Sequence, residues 1–313
     1  MVGFSKTNAI GMPTISVIIT TFNGSKNINN TLRAILQQEG INSLFELDII
    51  AIDDCSTDNT LEILNEYPIR IFSTETNSGG PNKGRNIGLA NAKGDYICIV
   101  DQDDVWHTNR ISSVLPYIQK APIISSGYTL IDTSTGKTIE RVAQSKEPFI
   151  FFEKNSTFLS KLTRSSQGQN TYLGSLLFHR SLRNILFEEH FGKIDYDWVL
   201  RLFHQQNSIE ICSSLYTRIV DGTNLSLNPT YRRQDFYYSL YFIEQFENLY
   251  PTQTRIARKK IHGSRARYYY IMNDMRRARV YFRLAGFSFK NILYYCTTFA
   301  GSSFVKKQFN VFG

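Results

Sequence analysis

NSGGPNKGRNIGLANAKGDYICIVDQDDVW, residues Asn77 to Trp106, is the stretch whose reading decides the fold. It contains a Gly-rich turn, a short amphipathic segment, a strand and a cluster of carboxylates. Tyr96-Ile97-Cys98-Ile99-Val100 is short, apolar and β-branched, the pattern of a buried strand. It stops at Asp101-Gln102-Asp103-Asp104. Three carboxylates in four residues repel one another unless a cation sits among them, and hard oxygen donors of this kind suit Mg²⁺ or Mn²⁺. Ligands of open α/β sheets bind just beyond the carboxyl ends of the strands. The stretch therefore points to a metal at a strand end, facing a phosphorylated ligand. Taken alone, an acidic turn after a buried strand is also what a solvated loop or a helix start presents.

The turn Gly79-Gly80-Pro81-Asn82-Lys83-Gly84-Arg85 comes close to a P-loop, but Arg85-Asn86 stands where Lys-Ser/Thr is required. The metal-binding hydroxyl and the phosphate lysine are missing, which excludes a P-loop NTPase. No G-x-G-x-x-G follows the first strand, so a dinucleotide fold is disfavoured too. The turn then reads either as a tight entry into a helix or as a phosphate contact through Lys83 or Arg85. Arg85 suits a diphosphate or a base better, because guanidinium presents a planar fork of donors.

Working back toward the N-terminus, Ile15 to Thr21 is an apolar strand ending at a polar turn, Thr21-Phe22-Asn23-Gly24. Leu32, Ile35 and Leu36 recur at helical spacing and predict a helix over 26–38. Leu47 to Ile52 is a second strand, ending at Asp53-Asp54, and Ser56-Thr57-Asp58 predicts a helix start. Ile69 to Phe72 gives a third strand. Strand and helix alternating over about a hundred residues predict a parallel sheet with right-handed crossovers. In such a sheet Thr20-Thr21, Asp53-Asp54 and Asp101 to Asp104 end on one edge and converge.

SVIITTFNG, IIAIDDCSTDNT and the opening stretch, in that order over residues 14–106, resemble the family 2 inverting glycosyltransferases. The resemblance implies an α/β fold of GT-A type, a Rossmann-like, mostly parallel sheet flanked by helices. It also implies a nucleotide-diphospho-sugar donor (a UDP, GDP or dTDP sugar) and a divalent cation, Mg²⁺ or Mn²⁺. By the same comparison Thr21, Phe22 and Asp53 or Asp54 surround the nucleoside, and Arg85 lies near the base or diphosphate. Asp101 and Asp103 form the D-x-D, Asp103 as the direct metal ligand, with Gln102 between them in the donor site. Ile194-Asp195-Tyr196-Asp197-Trp198-Val199-Leu200-Arg201-Leu202 is similar to the family's E-D-Y/W-D-x-x-x-R-L motif, and counting back from Arg201-Leu202 places the catalytic base at Asp195. Ile194 departs from the family's usual acid and keeps Asp197 open as the base. Simple N-capping at a helix start would also account for the Asp. The same departure allows an inactive nucleotide-sugar-binding protein of this fold. Asn170 to His179 resembles the family's acceptor-side segment, and Phe149 to Phe152 reads as core.

The 313 residues are 42% hydrophobic, enough for a full core, and carry a net charge of +8. From Pro251 onward there are 13 Lys/Arg and one acid, Asp274, so the tail carries +12 and residues 1–250 carry −4. The expected organisation is a catalytic domain over 1–225 and a basic, aromatic, helical extension over 226–313. The tail's mixture of arginine and tyrosine has three readings: a solvated helix pair, a nucleic-acid surface, or an anionic membrane surface met through 255–313. No RNA or DNA motif supports the second, so no nucleic-acid partner is expected. The third would bring a glycan or lipid-linked saccharide acceptor to the site, in assembly of bacterial surface polysaccharide such as O-antigen or capsule. Four scattered cysteines without pairing or zinc spacing, no apolar leader and no long apolar run predict a cytoplasmic protein, peripheral on the inner face of the membrane.

Overall fold

The computed structural model describes residues 11–165, 167–191, 195–220, 229–286 and 288–300. Contacts divide the chain into two compact units, Met1–Phe158 with Gly168–Asn228, and Leu159–Gln167 with Pro229–Gly313.

The first unit is built on a ten-stranded mixed sheet. Its N-terminal part is β1 (Thr14–Thr21), α1 (Ile28–Leu36), β2 (Glu46–Asp53), α2 (Thr60–Asn65), β3 (Arg70–Ser73), α3 (Pro81–Asn91) and β4 (Tyr96–Asp101). There follow β5 (Val105–Trp106), α4 (Arg110–Val114), β6 (Ile123–Asp132), β7 (Lys137–Arg141), β8 (Phe149–Phe152), α5 (Ser156–Leu162), β9 (Leu177–His179), α6 (Tyr196–Phe203) and β10 (Ser208–Val220). The strand order is β3-β2-β1-β4-β9-β6-β10-β5, with β7 added to β6 and β8 to β10. β3, β2, β1 and β4 are mutually parallel. β9 runs antiparallel to both β4 and β6, so the sheet is mixed beyond the nucleotide-fold half.

Side-chain alternation explains why both faces of β1, β2 and β4 are apolar. Val17, Ile19, Ala51, Cys98 and Val100 join one core cluster with Leu32 and Ile35 of α1. Ile18 and Ile52 face the other way, toward α3. That helix lies so close that a Cβ added at Gly88 would come within 2.3 Å of Ile18 Cγ2 and 3.1 Å of Ile52 Cδ1. Glycine is therefore what lets α3 seat on the strands and carry Arg85 to the sheet edge. Near the opposite ends of these strands Arg70 grips Asp48 (2.6 Å), and Ser16 Oγ donates to the same carboxylate at 2.7 Å.

Two local expectations are corrected. Phe149–Phe152 is core only in part: as β8 it pairs antiparallel with β10, Phe149 packs against the main core cluster, Ile150 and Phe152 are half-buried, and Phe151 is exposed. The α2 helix begins at Thr60 rather than at Ser56–Asp58, whose side chains are used to tie loops together. All four cysteines are free thiols, and burial pushes Cys98 up to about 11.

The second unit contains α7 (Pro229–Glu244), α8 (Pro251–Ile271), α9 (Met275–Ala285) and α10 (Phe289–Thr297). Pro251 does not merely interrupt a helix; it occupies the first turn of α8, where a missing N–H costs nothing. Asp274 and Ser288 cap α9 and α10, accepting from the backbone N–H of Arg277 and Asn291. Ala266, Tyr270, Ala278, Phe282 and Tyr294 form this unit's own small core. Residues 301–313 of the basic tail lie outside the described residues. Among the described residues no helix is long and apolar enough to cross a membrane.

Candidate active site

The register of the parallel strands assembles the site. Thr21 pairs with Asp53, Asp53 with Ser73, and Thr20 with Asp101, so the polar strand ends form one row. The loops that follow are stitched across. Asp53 is buried and accepts from Thr21 Oγ1 (3.1 Å), Ser56 N (3.0 Å) and Ser56 Oγ (2.5 Å). Asn23 Oδ1 accepts from Thr57 N at 2.8 Å, and Ser25 N donates to Asp58 Oδ2 at 3.1 Å. Burial pushes the Asp58 carboxyl up, but bonds from Ser25 and Thr60 outweigh it and hold it down at about 2. Asp54 is also buried, and its oxygens accept from Thr74 Oγ1, Ser78 N and Ser78 Oγ at 2.7–3.1 Å. It thus fixes the Gly-rich turn ahead of α3.

Gln102 clamps the ends of β1 and β4. Its Oε1 accepts from Phe22 N (2.9 Å) and its Nε2 donates to Phe22 O (3.2 Å), while Thr31 Oγ1 of α1 donates to Gln102 O at 2.8 Å. The Phe22 ring is left exposed at 46%. Among the predicted site residues, Gln102 therefore positions the backbone, and Phe22 offers an open aromatic face beside it.

Arg85 is buried in the middle of the edge. Its guanidinium donates to Asp101 Oδ1 (3.1 Å) and Asn82 Oδ1 (3.2 Å), lies 5.2 Å from the centre of the Phe187 ring, and keeps a buried Nε without a partner. Asp101 keeps 36% of its side chain open and Asp103 is half-buried. Asp104, the third acid of the run, lies apart from the D-x-D pair. It is buried with Oδ2 against Gly174, where an added Cβ would come within 2.4 Å. Burial pushes its carboxyl well up, Asp101 and Asp103 push the same way, and Arg218 and Arg110 only partly offset them. Arg110, itself buried, donates to Gly174 O at 2.8 Å and lies over the Trp106 ring at 4.6 Å. Asp104 is thus enclosed by packing that disfavours its charged form, and Asp101 and Asp103 are the more accessible carboxylates.

Asp195 is brought to this edge by a relay that sequence reading missed. Asn86 Nδ2 donates to Phe187 O and Phe187 N donates back to Asn86 Oδ1, while Asn82 Nδ2 donates to Glu188 O. Phe187 stacks on Trp198 at 4.4 Å, and Trp198 Nε1 donates to Ile185 O at 2.7 Å. So α3 holds the 185–189 segment, and that segment holds α6. The available signal was two asparagines and an arginine on a helix otherwise built to pack. Asp195 sits at the N-cap of α6 but makes no side-chain cap bond, which removes capping as its role. It is half-buried; burial pushes its carboxyl up, Arg85 pulls it down, and Asp101 and Asp197 push it up again. Asp197 is buried and taken by Arg201 at 2.5 Å, with Oδ1 left unpartnered. Burial raises its carboxyl while Arg201 lowers it. Ile194, the departure noted in the motif, lies outside the described residues. His179 ends β9 bonded to Ser181 and paired with Tyr96 at the start of β4, the end away from Asp101, and His204 packs on Phe158 at 4.7 Å.

Among the described residues no three His, Cys, Asp or Glu side chains are grouped to cage a metal by themselves. The donor set that is present fits an ion of another kind. Mg²⁺ and similar ions are commonly held by one or two carboxylates and completed by a substrate's phosphates. Asp101 and Asp103 supply that number and type.

A mixed sheet whose parallel strands gather acids, a buried arginine and an aromatic side chain at their carboxyl edge defines an α/β protein of GT-A type. The profile described as glycosyl transferase family 2 matches residues 16–184, more than half the chain, and the chain belongs to that family. It is 35% identical over 113 residues to the poly(ribitol-phosphate) beta-N-acetylglucosaminyltransferase TarS of Staphylococcus aureus, a match covering 35% of this chain and 19% of TarS. It is 32% identical over 147 residues to the dTDP-rhamnosyl transferase RfbG of Shigella flexneri, covering 43% and 49%. The chain thus spans less than two-thirds of the length of these curated relatives. The crystal structure of S. aureus TarS 1-349 in complex with UDP superposes with a TM-score of 0.63 at 19% identity, covering 96% of this chain and 94% of that one, which shows a shared fold.

Proposed function

We propose that this protein moves a sugar, with inversion, from a nucleotide-diphospho-sugar to a hydroxyl of a glycan or lipid-linked saccharide in bacterial surface-polysaccharide assembly. The single observation that best supports the reading is the placement of the Asp195 carboxyl within the field of the Arg85–Asp101 pair, on the edge that also carries Thr21, Asp53 and Asp103. Phe22 and Thr21, with the loops fixed by Asp53 and Asp54, line the nucleoside side. Arg85, whose guanidinium bonds Asp101 and Asn82, supplies the fork for the diphosphate. Asp103, with Asp101, would hold Mg²⁺ or Mn²⁺, which when bound neutralises charge gathering on the leaving diphosphate. Asp195 takes the proton of the acceptor hydroxyl as it attacks the sugar from the opposite side. A carboxylate whose affinity for protons is raised by burial is a stronger base than a solvated one. Asp197 is disfavoured for this role because its charge is spent on Arg201.

The nucleotide is open between types found among relatives: TarS was crystallised with UDP, and RfbG is named as using a dTDP sugar. The test is a panel of UDP-, GDP- and dTDP-sugars with Mn²⁺, following nucleotide release with candidate acceptors. Release from one donor, lost on chelation and in Asp103→Ala, supports the reading. Binding of a nucleotide with no turnover under any acceptor would replace it with a non-catalytic nucleotide-sugar receptor. The second unit is proposed to meet an anionic membrane surface, since it is basic and exposes Phe289 and Phe299 at 86% and 71%.

A further inference from the structure

The second unit contains a cleft of about 740 Å³ between α7, α8 and α9. Its walls hold three arginines (Arg233, Arg265 and Arg277), four tyrosines (Tyr237, Tyr268, Tyr269 and Tyr281), and the half-exposed Val280 and Leu284. No carboxylate lines it among the described residues. Arg265 is its centre. Only 6% of that residue is exposed, and its guanidinium sits 4.7–5.2 Å from the ring centres of Phe236, Tyr268 and Tyr269. Nη2 donates to Tyr269 Oη at 3.0 Å, but the buried Nε has no partner. Among the described residues no acid forms an ion pair with it; Asp235 lines a smaller adjoining hollow, and Asp274 pairs with Arg277 at 3.3 Å.

A buried arginine is ordinarily matched by an anion, because removing a charge from water without a counter-charge is costly. The ring faces recover part of that cost. They leave the Nε donor unsatisfied and the positive charge uncompensated. Arg233 adds charge at the rim, Arg277 adds a guanidinium partly offset by Asp274, and tyrosine hydroxyls add donors. This is the donor set of a phosphate site, a fork of guanidinium N–H groups backed by hydroxyls. The volume exceeds that of a bare phosphate and matches a small-molecule pocket, and Val280 and Leu284 supply an apolar wall.

We infer that this cleft binds a phosphate or diphosphate group carried on a larger apolar or sugar body, with Arg265 as the primary anchor. The inference uses nothing from the sheet-edge site and stands or falls apart from the donor reading.

The probe is inorganic pyrophosphate, titrated calorimetrically without divalent metal into the full chain. Wild type binds it. Arg233→Gln combined with Arg277→Gln, both at exposed or rim positions, weakens binding roughly tenfold or more. Arg265→Lys, which keeps the charge and loses the fork, weakens it similarly with an unchanged circular dichroism spectrum. In an Arg85→Lys background, which weakens the sheet-edge site, the cleft's share of the binding persists and is still lost on adding the Arg233/Arg277 double substitution. A second arm sediments the protein with phosphatidylcholine vesicles with and without phosphatidylglycerol. Retention on the anionic vesicles that pyrophosphate competes away assigns the group to a lipid head. Pyrophosphate binding without retention assigns it to a soluble phosphate ester. No pyrophosphate binding by wild type, or binding lost in Arg85→Lys but kept in the Arg233/Arg277 double variant, would overturn the inference.

Discussion

Replacing Asp195 by Asn should separate catalysis from stability, and Asp197→Asn should separate them the other way. Asp195 makes no side-chain cap bond, and its carboxyl is pushed up by burial. An acid whose folded value lies above its unfolded value binds more protons in the native state, so its charge weakens folding as pH rises through that window. At neutral pH the neutral amide removes that burden, and the melting temperature should hold or rise. Loss of a positioned base lowers turnover by about 10²–10⁴, equivalent to about 3–5 kcal/mol in the barrier. The Asp197 carboxyl is raised by burial too, but removing it strands the Arg201 guanidinium. Removing one partner of a fully buried pair costs about 3–5 kcal/mol. Arg201 keeps 33% of its side chain in solvent, so screening brings the expected loss to about 1–2 kcal/mol. That is a fall of roughly 2–8 °C for a unit of this size. Donor turnover should stay within about tenfold of wild type. The assay is nucleotide release at saturating donor beside a thermal melt on the same preparations. An Asp195→Asn protein with near-native turnover, or an Asp197→Asn protein that is stable and inactive, refutes the assignment.

Three further outcomes follow from the same geometry. Turnover should fall as pH drops through a value above the ordinary aspartate range, because the base must be ionised and burial raises its proton affinity; a pH–rate profile in kcat reads this directly. Arg85→Lys replaces a fork joined to Asp101 and Asn82 with a single ammonium, and should weaken donor binding by about tenfold or more in a calorimetric titration with the nucleotide. Gly88→Ala drives a Cβ to 2.3 Å from Ile18 Cγ2 and should cost about 1–3 kcal/mol in denaturant unfolding, with reduced activity because Arg85 rides on the same helix.

The parallel half of the fold was legible because its signals are local. Runs of β-branched residues in β1, β2 and β4 end at polar turns, and parallel pairing then sends Thr20, Thr21, Asp53 and Asp101 to one edge. The mixed half, in which β6 and β10 pair in parallel and the other strands run antiparallel, was not legible in the same way. β9 pairs β4 with β6, and β5 and β8 pair with β10, across separations that no periodicity encodes. The acidic run gave the D-x-D pair Asp101 and Asp103 but not the fate of Asp104, which packs against Gly174 beside Arg110 where burial disfavours its charged form. The basic helices read as a solvated or membrane-facing surface, whereas Arg265 is enclosed by rings whose spacing depends on the tertiary packing of α7 and α8. The relay from Asn82 and Asn86 through Phe187 to Trp198 joins positions about a hundred apart, and no motif announces it.

The most direct test is a crystal structure with Mn²⁺ and the nucleotide selected by the donor panel, using the anomalous signal of the metal to locate it. The account predicts a manganese peak at the carboxylates of Asp103 and Asp101, the diphosphate beside Arg85, and the nucleoside against Thr21 and Phe22. A peak or a diphosphate found elsewhere, at the Arg265 cleft for instance, with the sheet edge empty, would contradict it.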